Sequence, residues 1–152
     1  MHKIALVLLA SLALVCAALP GAAQESYEPA RGSELRADLM SALRPHAEWA
    51  FAAPVQFIIH DLRISGDVAF ASISAQRPDG SPIDLHQTPL AAQSPEWIED
   101  MDGATLQALL EKSGRVWVAV HHEIGATDAW WDGDPFCAKW GVVMPGHCQP
   151  GQ

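Results

Sequence analysis

Basic residues are scarce in this chain. It holds 9 Lys and Arg against 18 Asp and Glu, a formal charge of −9 over 152 residues. That balance argues against nucleic acid and anionic membrane surfaces as partners, because both are held through clusters of Lys and Arg. Cysteine is scarce as well, with three in all, and none has the two-to-four-residue spacing of a structural zinc site. No apolar run reaches the roughly 20 residues that span a bilayer. There is no internal repeat, no low-complexity tract and no Gly-x-Ser-x-Gly elbow to mark a nucleophile. Neither a cofactor nor a metal is expected.

What the chain does have begins at its start. His2 and Lys3 form a short positive region, residues 4–19 an apolar run of 16, and Pro20-Gly21-Ala22-Ala23 a small-residue site. These are the parts of a secretory signal peptide over residues 1–23, cleaved after Ala23. A retained anchor and a lipid-modified Cys16 are the alternatives, and the run is short for the first while Leu14-Val15 are too large for the second. Cleavage removes Lys3 and Cys16 and leaves a formal charge of −10, with Cys137 and Cys148 as an even pair in an oxidising compartment. A disulfide between them is expected, worth about 3 kcal/mol in the chain-entropy model for so short a loop.

Residues 24–32 read as a flexible lead-in and residues 33–152 as one α+β domain. Ser33 suits a helix N-cap, and Leu35, Leu39, Ala42, Leu43, His46 and Trp49 recur at helical spacing. Pro45 either ends this helix or lies within it. Residues 55–65 and 67–76 are rich in β-branched and aromatic side chains around a Ser65-Gly66-Asp67 turn, which predicts a hairpin. A Pro-rich stretch over residues 78–103 follows. Residues 105–111 and 116–124 then flank Lys112-Ser113-Gly114-Arg115 as a second hairpin, although Leu106, Leu109 and Leu110 fit a short helix too. Thr127 could cap one further turn running to Trp131. The expected architecture is one N-terminal helix packed on a curved, four-stranded antiparallel sheet.

That order resembles the cystatin-like and NTF2-like folds. Pro54-Val55-Gln56-Phe57, Gly66-Asp67-Val68-Ala69-Phe70, Arg77-Pro78-Asp79-Gly80 and Gly125-Ala126-Thr127-Asp128 resemble a family of small exported bacterial proteins of unknown function, over about residues 33–131. The resemblance implies a fold and carries no catalytic residue. The chain departs from a full NTF2-like domain, which has three helices ahead of a larger sheet.

Strand parity sorts the histidines. Val116, Val118, Val120, His122 and Ile124 would share one face, with Trp117, Ala119, His121 and Glu123 on the other. His60 would share a face with Ile58, Leu62 and Ile64, so His60 and His122 could both point toward the helix. Either the two are core-edge histidines, or His122 acts as a general base oriented by Asp128 from the turn beyond the strand. Trp49 is expected in the core, and Trp117 beneath the stretch carrying Trp97. Trp130 and Trp131 adjoin Asp128, Asp132 and Asp134, an aromatic and acidic patch; it either serves a ligand or packs the C-terminal segment onto the domain. The EF-hand alternation that would turn these aspartates into a calcium loop is absent.

The leading expectation is a periplasmic or secreted binding module that recognises an envelope protein, a peptide or a glycan through Trp130, Trp131 and Asp132, without nucleic acid or stable membrane insertion. An NTF2-like enzyme using His122 and Asp128, and an inhibitor or accessory factor of another exported protein, are the rival readings.

Overall fold

A computed structural model describes residues 25–144 and 146–148; the expected signal peptide lies outside them. Helix α1 (Glu34–Phe51) starts at Ser33, whose side chain accepts from the Arg36 N–H at 3.2 Å. It runs through Pro45, whose ring stays on the exposed side. Its buried stripe is Leu39, Leu43, Ala47, Ala50 and Phe51. At about 100° per residue, Trp49 projects on the far side of that stripe. Trp49 is therefore 59 % exposed, not a core residue.

Strands β1 (Gln56–Ser65), β2 (Val68–Gln76), β3 (Thr105–Ser113) and β4 (Val116–Ile124) form one antiparallel sheet in the order β1-β2-β3-β4. Residues 105–111 are strand, not helix. The run Ala108-Leu109-Leu110 imitates a helical pattern because the sheet is covered on both faces at that point. On the inner face α1 meets Leu62, Ile64, Ala71, Ile73, Leu106, Ala108, Leu110 and Trp117. On the outer face the C-terminal segment brings Trp131, Trp140, Val143 and Met144 onto Phe70 and Leu109. The two hydrophobic clusters lie back to back through the sheet.

Each edge strand carries a bulge. Pairing of β1 with β2 slips between Ile59 and Asp61, and pairing of β4 with β3 slips where Leu109 faces His121 but Leu110 faces Ala119. An extra residue reverses the alternation beyond it. Trp117 and Ala119 before the β4 bulge, and His122 and Ile124 after it, consequently share the inner face, while Val116, Val118 and Val120 are exposed. Trp117 lies under α1 rather than beneath Trp97, which is itself 68 % exposed. In β1, Leu62 and Ile64 face inward whereas Ile58 is exposed and His60 turns to the outer face.

The stretch after β2 is folded back on itself. Short 3-10 turns at Leu85–Gln87 and Pro95–Asp100 flank helix α2 (Pro89–Gln93), with Ile83, Thr88 and Ile98 buried. Thr88 caps α2 by accepting from the Ala91 N–H at 3.2 Å. After β4, residues 127–131 form bends and a turn, and helix α3 comes later, at Phe136–Trp140. Ahead of α1, Tyr27 exchanges two backbone hydrogen bonds with Ile64 at 3.0 and 2.9 Å, which ties the lead-in to β1. Among the described residues no helix is long and apolar enough to cross a membrane.

Candidate functional site

His122 meets a histidine. The β4 bulge turns it toward α1, where its ring centroid lies 4.0 Å from that of His46. Burial pushes both imidazoles below their ordinary 6.5, and His46 is lowered further by the charge His122 would carry. Asp128 lies elsewhere. It lines a shallow depression with Trp97, Met101, Glu123 and Ile124, and among the described residues no hydrogen bond or ion pair joins it to His122. His60 hydrogen-bonds Ser74 on the outer face, so His60 and His122 do not converge. Among the described residues no three His, Cys, Asp or Glu side chains are grouped to hold a metal ion.

The adjacent tryptophans divide their roles. Trp131 is 7 % exposed and packs on Phe70, with ring centroids 5.2 Å apart. Trp130 is half-buried and stands edge-to-face on both Trp131 and Phe136; Asp132 is exposed. His121 continues the series against Phe136 and Trp140. The Trp140 indole N–H donates to the Leu110 carbonyl at 2.9 Å, where the β4 bulge interrupts the ladder. Cys137 and Cys148 form a disulfide with Cα atoms 5.3 Å apart, closing this aromatic cover over the outer face.

Where the cover meets the sheet there is a pocket of about 230 Å³. Phe70, Trp131 and Met144 give it apolar walls, and Asp61, Arg63, Ser72 and His147 give it polar ones. Asp61 Oδ2 accepts from Arg63 Nε at 3.2 Å, and Oδ1 lies 3.1 Å from the same nitrogen, so the two charges offset each other. Among the described residues, Trp131 Nε1 is buried with no hydrogen-bond partner. The same holds for Trp130 Nε1 on the cover, and for Gln107 Oε1 and Thr105 Oγ1 on the outer side of β3. Buried polar atoms are ordinarily paired, so finding several that no described residue partners on the outer face and its cover marks the region as unusual.

The arrangement can take a compact ligand that presents an apolar face to the rings and hydrogen-bonding groups to the polar wall. Of the site residues expected from the sequence, Trp131 lines this pocket, Trp130 packs edge-to-face on Trp131 and does not line it, exposed Asp132 does not line it either, and Cys137 and Cys148 bridge the segment that follows them. Arg63, Ser72 and His147 were not singled out as site residues. Arg63 and Ser72 reach the pocket through the β1–β2 register, which places Asp61 opposite Ser72 and Arg63 opposite Phe70. No family model, curated protein or solved structure matches the chain.

Proposed function

We propose that the chain is a periplasmic or secreted binding module that takes a protein, peptide or glycan group at the outer face of its sheet. The curved sheet and helix are of cystatin-like or NTF2-like type, and the first 23 residues serve as the export signal. One observation carries the reading: the pocket bounded by Asp61, Arg63, Ser72 and Trp131 under a segment that a disulfide closes. The Cys137–Cys148 bridge suits an oxidising compartment, and the acidic composition suits work away from nucleic acid.

The acid/base reading has less support, since His122 faces His46 and Asp128 lines a different depression. The test is retention of envelope components on immobilised protein. Wild type should hold a component that the pocket-filled variant Ser72→Trp does not. Equal retention by both proteins removes the pocket from the account.

A further inference from the structure

The pocket also constrains the chemistry of its occupant, and this step rests on the binding-module reading. Its two charges are already paired with each other at 3.1 Å, so a charged ligand would have to compete with an existing ion pair. The surrounding protein carries a net charge of −9, which repels anions further. A neutral ligand meets neither obstacle.

The lining specifies the polarity. Asp61 is an acceptor only, Arg63 and the Trp131 indole N–H, which the described residues leave without a partner, are donors only, and the hydroxyl of Ser72 can be either. A ligand whose groups both donate and accept satisfies that mixture, and hydroxyl groups do so. A buried polar atom without a partner is costly, so supplying one here gains more than at an exposed surface. The volume of about 230 Å³ matches one six-membered ring seated in the open cleft. Phe70 and Trp131 offer the C–H face of such a ring an aromatic wall.

We propose that the pocket between Asp61, Arg63, Ser72 and Trp131 is a subsite for a single neutral pyranose sugar ring. Asp61 accepts from ring hydroxyls, Trp131 Nε1 donates to one, and the Trp131–Phe70 wall lies against the apolar ring face. A free monosaccharide and the end of a glycan share this chemistry.

The experiment is a titration of the nitrogen-15-labelled protein, followed through its tryptophan indole N–H signals. The probes are glucose, galactose, mannose and N-acetylglucosamine, the disaccharides maltose and lactose, and tetralysine as the peptide arm. At least one sugar should shift the Trp131 indole signal saturably and leave exposed Trp49 and Trp97 in place. Asp61→Asn should weaken that binding about tenfold. Response to monosaccharides identifies a free-sugar site, and response to disaccharides alone identifies a glycan-end site; both support the proposal. If tetralysine moves Trp131 and no sugar does, the sugar assignment falls and the binding module stands. If no probe moves Trp131, the sugar assignment falls, while the binding module is decided separately by whether wild type and Ser72→Trp retain the same envelope components. The wild-type map decides the matter even if Asp61→Asn fails to fold.

Discussion

Arg77 holds the end of α1 with one guanidinium. Its Nη atoms donate to the carbonyls of Phe51 at 2.8 Å, Ala52 at 2.7 Å and Pro54 at 3.2 Å. Helix C-termini leave carbonyls without partners, and a cation there also opposes the helix dipole. The rest of the Arg77-Pro78-Asp79-Gly80 motif is a turn. Asp79 Oδ1 accepts from the Ser81 N–H at 2.9 Å and hydroxyl at 2.7 Å, while Gly80 takes φ +85°. The motif thus serves the fold. Arg77→Ala should destabilise by about 2–3 kcal/mol, which thermal unfolding would register as a fall of about 10 °C. Gly125 is equally constrained. It takes φ +68°, and an added Cβ would lie 2.5 Å from the Met101 methyl carbon. Gly125→Ala should lower the denaturation midpoint more than Gly114→Ala, where nothing lies within 4 Å.

The His46–His122 contact has a pH consequence at the same scale. Burial depresses both pKa values, so the unfolded chain binds protons first as pH falls below about 6.5. Stability should be full above that value. It should decline as pH drops toward the lower folded pKa values and level off beneath them. Denaturant midpoints measured between pH 8 and 5 would follow the decline, and His46→Phe should flatten it. A midpoint that rises on acidification through this window would contradict the assignment.

At the scale of elements, the two hairpins were legible because their turns are local: Ser65-Gly66-Asp67 and Lys112-Ser113-Gly114-Arg115 are read without knowing anything distant. The faces of β1 and β4 were not. One bulged residue in each reverses the alternation, and no residue type in Ile59-His60-Asp61 or Ala119-Val120-His121 announces it. That slip moved Trp117 and His122 to one face and took His60 off the inner one. Both bulges lie on edge strands, where an irregular ladder discourages pairing with another chain. The β4 bulge is supported from the cover by Trp140. Trp140→Phe keeps the ring and loses the hydrogen bond to the Leu110 carbonyl, and should cost about 1 kcal/mol or somewhat more in chemical denaturation.

At the scale of the molecule, the C-terminal segment is a second layer that turns a half-solvated sheet into one covered on both faces. Its bridge was legible from cysteine parity once the first 23 residues were set aside. Its docking onto Phe70 and Leu109 was not, because Trp131 and Trp140 could equally have faced solvent. Replacing Cys137 and Cys148 by serine should destabilise by about 3 kcal/mol and act mainly on the outer face. Amides of residues 68–72 and 107–109 should then exchange faster, with α1 retained by circular dichroism. The pocket was illegible for the same reason: Asp61, Ser72 and Trp131 are far apart in sequence and meet only through strand register and cover.

Where a ligand sits on the protein is the deciding observation. Hydrogen–deuterium exchange of the wild-type protein, with and without the component it retains from the envelope, measures this most directly. Protection in residues 61–72 together with residues 130–147 is the expected result. Protection confined to α1 or to residues 83–103, with the outer face unchanged, would contradict it.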